Sequence, residues 1–335
     1  MIRKQLVSRE RRSDTPRRQD SRRVIPEINK DENLEMTGSN IKEIYESRKI
    51  NYDSVKKSCE FNIIDDRDVD VSVIIPVKGR ENFNLPLVDH LLKSMEEFKE
   101  KTYSITFVEH NDVTTHKEIC KDKTNHIWIR KNLGEYFNKC LAMNVGALFS
   151  NKAKYYLFHD IDLLVTKSFF SDLFSNLKNF PSGSALQAFG GRKVVVMNND
   201  LTMRILSGRT AIDSVVPGSA ESPYSTPGAP GGSIFISSDS FYKIGGFDAE
   251  FFHSYSCEDA FFYHKAEFIV GMGGCNAPLI ESFHMDHPRT NGSDNPDMGM
   301  QNRIYMWFKN MSPRDKEEFI YHMAKNIKKE DEKSI

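Results

Sequence analysis

Apolar residues along this chain recur with two different periods. Val71-Ser-Val-Ile-Ile-Pro76 is a short, mostly β-branched run of the kind that forms a strand covered on both faces. Similar runs follow at 104–109 (SITFVE), 126–130 (HIWIR) and 155–159 (YYLFH). Between and after them, residues 85–100, 135–150 and 167–179 carry helical spacing. Strands alternating with helices predict an α/β fold: one domain with a mostly parallel central sheet flanked by helices. Upstream, Ile41, Ile44 and Tyr45 stand at i, i+3 and i+4 and predict one or two short helices within 40–61. Downstream, the pattern predicts a strand at 233–237 and a helix at 238–244 capped by Ser238 or Asp239. A helix at 258–267, a strand at 268–272 and an amphipathic helix near 299–310 complete it. Residues 181–232 are rich in Gly, Ser and Pro and read as a sheet edge plus a long loop able to close over a ligand.

The segments divide accordingly. Residues 1–24 form a basic mobile arm, 25–70 a helical extension and linker, 71–312 the domain, and 313–335 a charged C-terminal helix or tail. The arm carries nine Lys and Arg against three acids, a charge of +6. It reads as a solvated tail, with weak contact to nucleic acid or an anionic surface as the alternative.

Composition narrows the class. Of 335 residues 39% are hydrophobic, which is enough for a core and excludes a disordered chain. The 46 basic and 47 acidic residues nearly cancel, which argues against a dedicated nucleic-acid binder. No apolar run approaches the roughly 18 residues of a membrane span, and the N-terminal sequence is too polar for a secretory signal. Five cysteines without a CxxC pair speak against a disulfide scaffold or structural zinc, so a cytoplasmic location is expected.

Five clusters have candidate chemistry. Asp160 and Asp162 follow a strand, where two acids two apart share a side and can hold one divalent metal; a helix cap with a solvated acid is the bland reading. His284 and His287 are imidazoles three apart, able to converge on a cation or simply to lie in a surface loop before Pro288. Carboxylate oxygen with imidazole nitrogen suits Mn²⁺ better than Ca²⁺. Glu258 and Asp259 open a predicted helix, as a general base or as favourable charges on its dipole. Lys78 and Arg80, beyond Pro76, are placed to meet diphosphate oxygens or to form a polar turn. Lys139 and Asn144 lie in an apolar helix, where both also read as ordinary surface residues.

The order of these pieces is more specific than any one of them. IIPVKGR, FNKCLAMNVGAL, FHDIDLL, GGSIFISSDSFYKIGGFD, ED and HMDH, over about residues 71–308, resemble the β-1,4-galactosyltransferase family and, more broadly, GT-A glycosyltransferases such as the bacterial family-2-like enzymes. The stretch from Gly231 to Phe247 matches the family's segment without a gap. The resemblance implies a single Rossmann-like GT-A domain and inverting transfer of a hexose (galactose, N-acetylgalactosamine or glucose type) from a UDP-sugar to a glycan or other hydroxyl acceptor, with Mn²⁺ or Mg²⁺ on the diphosphate. It places Pro76, Lys78, Arg80, Glu109, Lys139, Asp160 and Gly232 around the donor, and Asp162, His287 and His284 on the metal. It makes Asp259 the catalytic base and sets Glu258 and Tyr255 at the acceptor. The family's WGWGG is here His253-Ser-Tyr-Ser-Cys257, its paired arginines have become Lys78 and Arg80, and Ala229 stands where it has a bulkier residue. Lack of the family's membrane anchor suits a bacterial or viral cytoplasmic enzyme, with peripheral membrane association as an alternative. A catalytically silent nucleotide- or glycan-binding module, or an enzyme reaching nucleic acid through its arm, are the competing readings.

Overall fold

A computed structural model describes residues 36–327 except 119–121, 132–135, 178–184, 188–192, 223, 228–231, 255, 274–280, 289–294 and 296. The expected basic arm, 1–24, lies outside the described residues. Helices α1 (Gly38–Arg48) and α2 (Tyr52–Ser58) and strand β1 (Cys59–Asn62) come first. Then follow β2 (Val69–Val77), α3 (Asn84–Glu97), β3 (Tyr103–Asn111), β4 (Asn125–Arg130), α4 (Lys139–Phe149) and β5 (Ala153–His159). Next are β6 (Leu163–Val165), α5 (Phe169–Leu177), β7 (Ala185–Gln187), β8 (Lys193–Val196), α6 (Asn199–Leu206), β9 (Tyr224–Pro227), β10 (Ser233–Ser237) and α7 (Ser238–Lys243). Last are α8 (Glu258–Val270), β11 (Met272–Gly273), β12 (Ser282–His284), α9 (Met298–Asn310) and α10 (Pro313–Ala324).

Eight strands form one sheet in the order β1-β4-β3-β2-β5-β10-β7-β11. Its centre, β4-β3-β2-β5, is parallel, and β1 and β10 join antiparallel on either side. This is the expected α/β architecture. Alternation along β2 serves both faces. Val71, Val73, Ile75 and Val77 pack with Leu87, Val88 and Leu91 of α3 and with Phe169 and Phe170 of α5. Ile74 packs on the other side with Met143 and Val145 of α4 and with a phenylalanine-rich group, Phe241, Phe247, Phe261 and Phe262. Tyr45, Tyr52, Ile320 and Met323, from segments that flank residues 71–312, belong to this second core.

The strand order fixes where a ligand can enter. From β2 the chain steps outward to β3 and β4, then returns past β2 to β5, so the direction reverses between β2 and β5. Crevices open at the carboxyl ends of strands at such a point. Here the opening has a visible start: β2 pairs with β5 only as far as Ile74–Phe158, yet with β3 as far as Val77–Glu109. Pro76 lies just beyond the split, where its missing N–H breaks no ladder to β5.

Several expectations need correction. Within 181–232 the described residues include β8, α6 and β9, and β6-β12-β8-β9 form a second sheet that the loop reading missed. Residues 268–270 are the last turn of α8, not a strand, and Gly271 ends the helix at φ 71°. The cap of α7 is Ser237, whose hydroxyl accepts from the Ser240 N–H, rather than Ser238 or Asp239. Among the described residues no helix is long and apolar enough to cross a membrane.

Helix α4 lies close against the sheet because of Gly146. A Cβ there would stand 2.4 Å from Cγ2 of Ile74 and 3.1 Å from Cγ2 of Val108. Gly146→Ala is therefore expected to cost about 1–3 kcal/mol through overpacking. A urea-unfolding midpoint equal to the wild type would contradict that close approach.

Candidate active site

The turn after β5 carries Asp160 and Asp162, and chain pairing brings a distant loop to it. Strand β12 runs antiparallel to β6 with His284 opposite Leu163, and the Met285 N–H donates to the Asp162 carbonyl at 2.9 Å. The far side of that loop is held by α6, since the Asp286 N–H donates to the Thr202 hydroxyl at 2.9 Å. His287 Nε2 thus stands 2.9 Å from Asp162 Oδ2, and His284 Nε2 stands 3.7 Å from the same oxygen. Ligand atoms from Asp162, His284 and His287 all lie within 4.8 Å of one another. One first-row cation with bonds of ~2.2 Å would span them after a slight contraction. One oxygen and two imidazole nitrogens form a donor set able to hold a first-row divalent cation.

Arg80 reaches the same place from β2, its Nη1 donating to Asp162 Oδ2. Burial pushes the Asp162 carboxyl up, but the His287 hydrogen bond and the charges of His284 and Arg80 outweigh it and hold the group well below the usual carboxylate range. His159, by contrast, is structural. It is buried, its Nε2 donates to the Leu163 carbonyl at 2.8 Å, and its Nδ1 accepts from the Ser233 hydroxyl at 2.8 Å. Burial lowers its pKa to about 4, so it is neutral.

A second cluster forms where two helices begin. Lys139 opens α4, and Glu258 and Asp259 open α8. The Lys139 ammonium lies 2.9 Å from Asp160 and 3.3 Å from Asp259, joining the two acids. Burial would lower the Lys139 pKa, but Asp160, Asp259 and Glu258 raise it well above the ordinary ammonium value. Burial pushes Asp160 up to about 6, against the pull of Lys139. Burial, helped by the charge of Asp259, pushes Glu258 up to about 8, although its carboxylate accepts the Ser256 N–H at 2.9 Å. Asp162 is thus held ionised and Glu258 protonated near neutral pH, a division of roles set by environment.

The residues that hold these helices in place were not legible beforehand. Asn138 caps α4 through the Leu141 N–H and donates to the Ala249 carbonyl at 3.1 Å. Asn144, read from sequence as an ordinary surface residue, is fully buried. Its amide donates to the Tyr52 hydroxyl and the Phe247 carbonyl, each at 2.7 Å, and its oxygen accepts the Phe247 N–H at 2.9 Å. Behind α8, Lys265 and Asp248 form a buried ion pair at 2.6 Å, and Lys265 also donates to the Gly246 carbonyl at 2.8 Å. Only the polar residues inside an otherwise apolar helical pattern hinted at these roles.

Other sequence candidates are placed differently. Gly232 is at the rim, its carbonyl accepting the Asp160 N–H at 2.7 Å. Lys78 is exposed, and partial burial and the nearby charge of Lys131 lower its pKa. Glu109 is fully buried, with its oxygens taken by His126, Thr114, Thr115 and the His116 N–H, so it braces the segment after β3 instead of offering a free carboxylate to a donor. Tyr255 and, in the expected closing loop, residues 223 and 228–231, including Ala229, lie outside the described residues.

Solved structures resemble this chain. One is the catalytic domain of Drosophila β1,4-galactosyltransferase 7 in complex with xylobiose, at 16% identity over 70% of this chain and 79% of that one, with a TM-score of 0.43. Another is a mutant of that protein with manganese, UDP-Gal and xylobiose, at 14% identity over 68% and 78%, with a TM-score of 0.39. A third is TarS of S. aureus, at 15% identity over 74% of this chain and 41% of that one, with a TM-score of 0.40. No protein family and no curated protein matches the sequence.

Two outcomes follow from the buried charges. Lys265→Met leaves Asp248 buried without its counter-charge and is expected to cost about 3–5 kcal/mol, with most of that recovered when Asp248→Leu is added. Equal stability of the Lys265 variant and the wild type in urea would contradict the pair. For Glu258, a folded pKa near 8 stands above the ordinary 4.5, so the native state keeps a proton that the unfolded chain releases. That contribution to stability is complete below about pH 4.5 and is lost as pH rises through about 8. Urea midpoints measured from pH 5 to 9 should fall less for Glu258→Gln than for the wild type; parallel curves would show that the carboxyl is not raised.

Proposed function

We propose that the chain is a metal-dependent, inverting glycosyltransferase that moves a hexose from a UDP-sugar to a hydroxyl on a glycan or other acceptor. One observation carries the reading. A three-residue cation site, Asp162-His284-His287, and a lysine-bridged pair of acids, Asp160 and Asp259, lie together at the point where the strand order reverses. The first suits a diphosphate neutralised by metal, and the second suits deprotonation of an attacking hydroxyl. The motif order, from IIPVKGR to HMDH, supports the same reading.

In this mechanism Asp162, His284 and His287 would hold Mn²⁺ or Mg²⁺, which would supply Lewis-acid charge to the diphosphate. Arg80 and Lys78 contribute positive charge to the donor phosphates from the end of β2. Lys139 holds Asp259 in place through their ion pair while Asp160 sits beside the donor sugar or ribose. Asp259 takes the proton of the acceptor hydroxyl as its oxygen bonds to the anomeric carbon. The bond to UDP breaks on the opposite face, so the configuration inverts. Glu258, protonated near neutral pH, donates a hydrogen bond to the acceptor, and Tyr255 offers its ring as a platform.

A UDP-release assay over a panel of UDP-sugars, with and without Mn²⁺, tests the reading. One hexose donor should give release that requires both Mn²⁺ and an acceptor. Asp259→Asn should cut transfer by ~10²–10⁴-fold with little change in UDP affinity, and Asp162→Ala should abolish Mn²⁺-dependent UDP binding. Full transfer activity in the Asp259 variant would remove it as the base, and failure of every donor with Mn²⁺ present would sink the transferase assignment.

A further inference from the structure

Arg80 is the one non-glycine residue with a positive φ among the described residues, at 65°, and follows Gly79, also at 65°. That left-handed conformation is unfavourable for a residue with a Cβ, and its retention at a crevice points from strain to function. The Phe83 N–H donates to the Arg80 carbonyl at 2.9 Å, fixing the turn that carries it. The guanidinium then donates to Asp162 Oδ2, the oxygen that His287 Nε2 approaches to 2.9 Å. Arg80 is also much the more exposed partner, its side chain 36% accessible against 8% for Asp162, so it has a solvent-side path away from the acid.

We propose that Arg80 makes cation binding and nucleoside diphosphate binding depend on each other. Its guanidinium and a divalent cation claim the same carboxylate oxygen, and their like charges repel, so the cation alone is held weakly. A diphosphate offers the guanidinium a better, bidentate partner. When Arg80 turns to it, Asp162 is released to the cation, and each ligand strengthens the other. This rests on the transferase reading for the identity of both ligands but goes beyond it in assigning the coupling to one side chain.

Thermodynamic reciprocity makes the inference measurable without turnover: the factor by which UDP tightens Mn²⁺ must equal the factor by which Mn²⁺ tightens UDP. Mn²⁺ affinity is measured by electron paramagnetic resonance of the free ion, with and without UDP, for the wild type, Arg80→Gly and Arg80→Asn. Glycine and asparagine both accept the left-handed backbone, so the turn is retained. Without UDP, both variants should bind Mn²⁺ ~5–10-fold more tightly than the wild type, and the mutual enhancement should shrink by ~10-fold, within the usual span of such couplings. Variants that bind Mn²⁺ alone no more tightly than the wild type, or that keep the full enhancement by UDP, overturn the coupling while leaving the transferase reading intact. A wild type that binds no Mn²⁺ with or without UDP overturns both.

Discussion

The arrangement at the head of the sheet turns on the carboxylate of Asp162. Its side chain is only 8% exposed, and a buried charge is tolerated only when opposite charge and hydrogen bonds surround it. Those partners come from three separate stretches: Arg80 beyond β2, Asp162 itself beyond β5, and His284 with His287 at and after β12. The acid can be satisfied only if the central strands, the second sheet and the histidine loop are all in register. The same demand leaves a place for a metal, because the groups that stabilise the carboxylate include two imidazoles able to share its load.

A few ångströms of chain separate this from a different electrostatic regime. At the junction of α4 and α8, three acids share one lysine. Both helix N-termini favour negative charge there. Burial, with the charge of Asp259 added to it, keeps Glu258 protonated while Lys139 stays bound to Asp160 and Asp259. Such a site separates tasks: one region fixes negative charge that a cation can join, the other keeps groups that differ in their hold on a proton. The buried Asp248–Lys265 pair and the Asn144 hydrogen bonds tie α8 and α4 to the segment 246–248 between them in the core.

The local code was readable where a period was long or a run strongly apolar. The central strands β2, β3, β4 and β5, the crossover helices α3 and α4, and the α/β class follow from such runs. Short elements escaped. Strands β6, β8, β9 and β12 have three or four residues each, too few for a period to stand out, and the Gly and Pro around β9 masked it as loop. Phe268, Ile269 and Val270 favour a strand by composition, but they continue α8, where tertiary packing of the helix outweighs local preference.

What the sequence determined by itself was the inventory and its order: acids just after an apolar strand, a histidine pair late in the chain, an acidic pair opening a helix, basic residues after the first strand. These depend on covalent spacing, which folding cannot change. Which of them meet was decided by the tertiary structure alone. Asp162 and His287 lie 125 positions apart, and only the pairing of β6 with β12 closes that interval. The burial of Glu109, Asn144 and Lys265 is likewise invisible in one dimension, because burial depends on how layers stack and not on neighbours along the chain. The electrostatic character of the site came the same way, since a carboxyl's hold on its proton depends on the charges and solvent around it.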